Sequence, residues 1–282
     1  MAHTMQNEWV IEPHSAKATA RLRECWQHRK LLGYFAGRTL KRVYARTVLG
    51  WSWLILRPVV PIVLASWVFG NLLAVPTGGV PYFLFYLVGI TCWHMFEHSW
   101  MWATRSIEMN RRVIQKIYVP RFILPVSSVA PVALEVLVYL ILLCAAMVYF
   151  FVADGKLYVD ASSRLLIAPV MLLLGVGLAI SLGLWTSVWG ATVRDIRFTL
   201  RYVLQIWFHV TPVVYPLSIV PENWRWLAAV NPMVPVVETF KWSILGVGEP
   251  QWIGLLFTLS ATAIIGGTGL WYFTKAEAAA LD

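Results

Sequence analysis

The chain has 282 residues, of which 59% are hydrophobic and only 13% charged, with a formal net charge of +9. An ordinary soluble domain carries roughly 25% charged residues, so this composition excludes a single water-soluble core and points to a polytopic membrane protein. Cys25, Cys92 and Cys144 are too isolated for a disulfide framework or a zinc cluster and read as buried thiols.

The first fifty residues are polar and basic, which predicts no cleaved signal peptide and a cytoplasmic amino terminus. Within them, Cys25 to Leu49 mixes Trp26, Leu31, Tyr34, Phe35 and Tyr44 with arginines and lysines. That pattern suits an amphipathic helix in the headgroup layer, apolar side down; a cytosolic helix packed on a partner is the alternative. Residues 51–275 are expected to form a six-span transmembrane domain and 276–282 a cytoplasmic tail. Its spans are expected at about Trp53 to Val75, Tyr82 to Ala103, Val126 to Val152, Leu165 to Trp189, Leu200 to Ile219 and Gln251 to Thr274. Between the second and third, "RSIEMNRRVIQKIYVPRFILP" is too polar to cross and predicts a short cytoplasmic helix over about 106–117, ended by Pro120.

The cations cluster before the first span, between the second and third, and between the fourth and fifth. This positive-inside bias orients the six helices with both termini in the cytoplasm and leaves no need for a nucleic-acid partner to explain the charge. On the outer side, "VYPLSIVPENWRWLAAVNPMVP" is apolar yet broken by prolines. Irregular backbone at membrane depth survives only when protein buries it or water reaches it. The region of about 220–248 is therefore expected to form two short re-entrant helices hinged at Pro216, Pro221, Asn231 and Pro232, with a surface loop as the alternative.

"HMFEH" matches the H-x-x-E-H pattern of inverted zinc peptidases through His94, Glu97 and His98. Its position inside a span, without a recognisable third ligand, favours polar contacts between helices, and Glu135 and His209 are read the same way. No metal is expected.

Four segments together, "YARTVLGWSWLILRP", "NRRVIQKIYVPRFILP", "RDIRF" and "TPVVYPLSIVPENWRWLAAVNPM", resemble the membrane subunits of polysaccharide-exporting ABC transporters, the O-antigen, capsule and teichoic-acid permeases of the type-2 exporter superfamily. The resemblance implies an all-α membrane fold of six transmembrane helices, with an interface helix, a coupling helix and two re-entrant helices. It implies a homodimer in the bacterial inner membrane that exports an undecaprenyl-linked polysaccharide, driven by two copies of an ABC ATPase. The chain has no G-x-x-x-x-G-K-[ST] loop, so ATP and magnesium are assigned to that partner, with no cofactor and no catalysis here. Thr39 departs from the acidic residue found in many relatives.

The resemblance places Glu108, Asn110, Arg111 and Arg112 against the ATPase. Flat aromatic faces pack on sugar C–H groups, which makes Trp51, Trp53, Trp67, Phe69, Trp207, Phe208 and Tyr215 candidates for lining a glycan channel. Arg38, Lys41, Arg42 and Arg46 lie where a lipid pyrophosphate would sit. A small-molecule efflux permease is the rival reading.

Overall fold

The computed structural model describes residues 29–44, 52–114, 123–160, 162–193 and 195–276, and every regular element among them is helical. Helix α1 (Arg29–Tyr44) precedes α2 (Trp53–Ala65), which continues as a π-helical segment, Ser66–Leu72. Then come α3 (Tyr82–Thr104), the short α4 (Ser106–Ile114), α5 (Ile123–Ser128) and α6 (Ala130–Asp154). A 3₁₀ turn at Ser163–Leu166 leads into α7 (Ile167–Thr192), followed by α8 (Asp195–Val210). Two more 3₁₀ turns precede α9 (Arg225–Val230), α10 (Met233–Leu245) and α11 (Trp252–Ala276).

Helix α3 is the axis of the fold, packing against α6, α7, α8 and α10, while α7 also carries α10 and α11 on its other faces. Lipid is as apolar as leucine, so helices in a membrane associate through close packing and polar contacts rather than through hydrophobic expulsion. Small residues set the approach. A Cβ added at Gly183 of α7 would lie 2.4 Å from the Cβ of Ala103 on α3, and one at Gly89 would meet the Val213 carbonyl oxygen at 2.8 Å. These two glycines let α7 and the chain after α8 press onto α3.

Among the described residues, four segments are long and apolar enough to cross a membrane: Trp53–Leu72, Ile123–Asp154, Ser163–Thr192 and Trp252–Phe273. The two other expected spans differ for physical reasons. Helix α3 has 23 residues, but its apolar run is interrupted by His94, Glu97 and His98, which a helix wrapped by its neighbours can carry. Helix α8 has 16 residues, about 24 Å at about 1.5 Å per residue. It starts at Asp195 rather than Leu200 and stops at Val210 rather than Ile219, because Pro212 and Pro216 cannot continue it.

Within Cys25 to Leu49, where an interface helix is expected, α1 is helical, with Phe35 and Thr39 buried and Tyr34 outward; residues 1–28 and 45–51 lie outside the described residues. Thr39 donates its hydroxyl to the Phe35 carbonyl at 2.9 Å. A short helix is present over Ser106–Ile114, where one is expected, and 115–122 lie outside the described residues. One expectation is overturned. Cys92 is buried, but Cys144 is exposed on α6, and Cys25 lies outside the described residues. A thiol is apolar enough to stay on a helix face that meets lipid rather than water.

Candidate functional site

A cavity of about 310 Å³ opens between α2, α3, α6 and α8. Pro58 and Pro61 form its α2 wall. As prolines they remove two N–H donors from that helix, and the π-helical segment follows a turn later. Arg57, His94, Glu97, Tyr139, Arg201 and Gln205 supply polar groups to the cavity, and Tyr86, Trp93 and Phe208 supply aromatic faces. The lining is thus mixed, with two guanidinium groups and a carboxylate set among aromatic and aliphatic faces.

Behind the cavity, Trp207 makes edge-on contacts with Phe96 (ring centroids 5.4 Å apart), Trp100 (5.7 Å) and Trp93 (6.5 Å). Its Nε1 donates to Asn231 Oδ1 at 2.8 Å. Asn231 also donates from Nδ2 to Thr211 Oγ1 (2.9 Å) and accepts from the Met233 N–H (2.9 Å). The side chain thus ties the end of α8 to the start of α10.

Helix α10 is buried along nearly all its length. Lys241 is its least expected member, 1% exposed, with Nζ donating to the Pro212 carbonyl and to Glu238 Oε1 (3.4 Å), 4.0 Å from the Phe85 ring centroid. A buried ammonium survives only with such partners. The irregular stretch after α8 is therefore held from beneath by α10, while Tyr82 donates its hydroxyl to the Val214 carbonyl from α3 (2.6 Å).

At the other end of α8, Arg197 donates twice from Nη1 to Glu108 of α4, at 2.8 and 2.7 Å. Side-chain contacts thus link α8 to α4 at its start and, through Trp207 and Asn231, to the start of α10 at its end.

The predicted site residues are distributed as follows. Glu108 is engaged by Arg197, Asn110 is buried and donates to the Ser106 carbonyl within α4 (2.9 Å), and Arg111 is exposed; the Arg112 side chain lies outside the described residues. Arg38 is half-buried on α1 and its Nη1 has no hydrogen-bond partner among the described residues; the side chains of Lys41 and Arg42, and all of Arg46 and Trp51, lie outside them.

Phe208 lines the cavity and Trp207 backs it. Trp53 is exposed, 5.7 Å from the Arg57 guanidinium, Trp67 is exposed on the π-helical segment, and Phe69 stacks on Tyr82. Tyr215 is half-buried and donates to the His209 carbonyl (3.0 Å). Pro216 and Pro221 each introduce a 3₁₀ turn, and Asn231–Pro232 forms the bend between α9 and α10.

His98 and Glu135 meet as a contact between α3 and α6, whereas Glu97 accepts from Trp93 Nε1 on its own helix (2.9 Å). Sequence reasoning missed Tyr139, Arg201 and Gln205 as cavity residues and Lys241 as a buried cation. The last had a signal: Glu238 and Lys241 sit three apart in an apolar run, the spacing of a helical ion pair.

The ABC-2 type transporter family model matches residues 31–245. The chain is 28% identical over 222 residues, 78% of its length, to the O-antigen export system permease protein RfbA of Myxococcus xanthus, covering 82% of that protein. It is 23% identical over 247 residues to the RfbA permease of Klebsiella pneumoniae, covering 87% of this chain and 91% of that one. It is 22% identical over 244 residues to the polysialic acid transport protein KpsM of Escherichia coli, 86% and 92% of the two chains. With a family model spanning most of its length and an all-helical fold among the described residues, this chain belongs to the ABC-2 type transporter family.

Proposed function

We propose that the chain is the membrane subunit of an exporter that moves an undecaprenyl-linked polysaccharide, of the O-antigen class, out of the bacterial cytoplasm. The observation that carries this reading is the alignment, over 78% or more of the chain, with permeases named for O-antigen export and polysialic acid transport. The subunit acts as a homodimer in the inner membrane with two copies of a separate ATPase, which binds ATP and magnesium.

In this reading α3 and α8 cross the bilayer with the four more apolar segments, giving six crossings with both termini inside. Helix α4 seats in the ATPase, and its motion is passed by the Glu108–Arg197 pair to α8. The exposed Trp224 and Trp226 (58% and 61%) support placing the α9–α10 hairpin in the outer leaflet, where indole rings are at home. Arg38, Lys41, Arg42 and Arg46, basic residues on and just after α1, capture the lipid pyrophosphate at the inner headgroup layer. Aromatic faces then let the glycan slide past without a fixed grip.

Cells lacking the chain should retain the completed lipid-linked glycan on the cytoplasmic face, and the chain with its ATPase in proteoliposomes should translocate it on ATP addition. Extrusion of hydrophobic drugs in place of glycan would transfer the assignment to small-molecule efflux.

A further inference from the structure

The sequence pattern His94, Glu97, His98 pointed to a metal motif whose third donor could not be recognised. The fold supplies one from another helix. Donor atoms of His94, His98 and Glu135 all lie within 4.8 Å of one another. The two imidazoles stand one helical turn apart on α3 with ring centroids 3.8 Å apart, and Glu135 reaches His98 Nδ1 from α6. We propose that His94, His98 and Glu135 form a divalent transition-metal site, suited to zinc, that clamps α3 to α6 beside the cavity.

Three features carry it. Two histidines at i and i+4 with a carboxylate is a ligand set that zinc accepts with a fourth position left open. Bonds of about 2.0–2.1 Å to a tetrahedral ion hold donors about 3.3 Å apart, a spacing that falls between the direct His98–Glu135 contact and the 4.8 Å extent of the cluster. Glu135 brings a negative charge into the cluster itself, while on the neighbouring cavity wall Glu97 stands with Arg57 and Arg201. Neutral imidazoles sharing a cation turn a close pair of rings, which would repel if both were protonated, into a favourable contact.

His94 also lines the cavity, from which water or an oxygen of the guest could reach the cluster. Glu97 is held by Trp93 instead, so the site is a structural clamp and no hydrolytic step is assigned. This departs from the expectation of no metal, and it stands whether or not the exported molecule is a polysaccharide.

The test uses the full-length chain, free of any affinity tag, stripped with a chelator in detergent or nanodiscs and titrated with zinc or cobalt. One metal per chain is expected, with the visible absorption of four-coordinate cobalt and a zinc-dependent rise in Tm. Glu135→Gln and His98→Ala should each weaken binding at least about tenfold. A well-folded wild-type chain that shows neither saturable zinc binding nor the cobalt spectrum overturns the site, and this measurement requires no variant. Binding that survives Glu135→Gln and His98→Ala together overturns it equally.

Discussion

Trp207 and Asn231 are joined by a 2.8 Å hydrogen bond from indole Nε1 to the amide oxygen, across the gap between the end of α8 and the bend that starts α10. The same amide holds Thr211 and the Met233 N–H, so one buried side chain joins the end of α8 to the start of α10. A proline-broken stretch needs such a node, because its backbone has lost the helical ladder that would otherwise satisfy it.

Asn231→Ala leaves the Trp207 N–H and the Met233 N–H without their acceptor in a dry interior. The cost is about 1–3 kcal/mol for each donor stranded, and the hairpin of α9 and α10 loses its anchor. A lowered Tm in nanodiscs together with loss of transport is the expected outcome. Leucine at the position should be no better than alanine, since it restores volume but not the acceptor.

The Glu108–Arg197 pair is half-exposed, with side-chain exposures of 38% and 24%. Pairs of that kind contribute at most about 1 kcal/mol to stability. Glu108→Ala or Arg197→Ala should therefore leave Tm nearly unchanged while uncoupling ATP hydrolysis from transport, measured in proteoliposomes. The exchange of Glu108→Arg with Arg197→Glu should recover much of the coupling. A transport loss that tracks Tm would assign the pair to folding alone.

Lys241→Met removes the ammonium that compensates Glu238 and satisfies the Pro212 carbonyl. Breaking one side of a buried pair costs about 3–5 kcal/mol, enough to prevent stable insertion or to lower Tm sharply. Adding Glu238→Gln should return part of the loss, since no carboxylate is then stranded. Thermal unfolding of the two variants side by side measures the difference.

Gly183→Ala puts a methyl group where the Ala103 Cβ already lies 2.4 Å away. The crossing of α3 and α7 must open, at about 1–3 kcal/mol. Ala103→Gly in the same chain should relieve most of the penalty, and a double-mutant cycle on Tm reads the coupling directly.

Arg57→Gln with Arg201→Gln takes both positive charges from the cavity wall while keeping hydrogen-bond donors. Transport should fall at least about tenfold, the equivalent of about 1.4 kcal/mol, with Tm unchanged. Glycan export measured in cells complemented with this variant checks it.

Much of the architecture was legible in the chain. The segments Trp53–Leu72, Ile123–Asp154, Ser163–Thr192 and Trp252–Phe273 fall within a few residues of the runs read from hydropathy, because length and apolarity are local properties. The bend at Asn231–Pro232 was legible for the same reason, since proline breaks a helix wherever it sits. The end of α8 was misjudged. The apolar residues continue to Ile219, but Pro212 stops the helix well before them.

The sequence by itself determined that this is a helical, multi-pass membrane protein with basic connecting segments, a short polar helix between two apolar runs and a proline-broken stretch after α8. Only the tertiary structure decided which face of each helix meets a neighbour and which meets lipid. Cys144 faces outward, Trp207 turns to Asn231, Glu135 rather than Glu97 meets His98, and Lys241 is enclosed. In water, an apolar stripe would have marked the buried face beforehand. In a membrane both faces are apolar, so small residues such as Gly89 and Gly183 and the pairing of scattered polar groups settle the choice only once the helices are packed together.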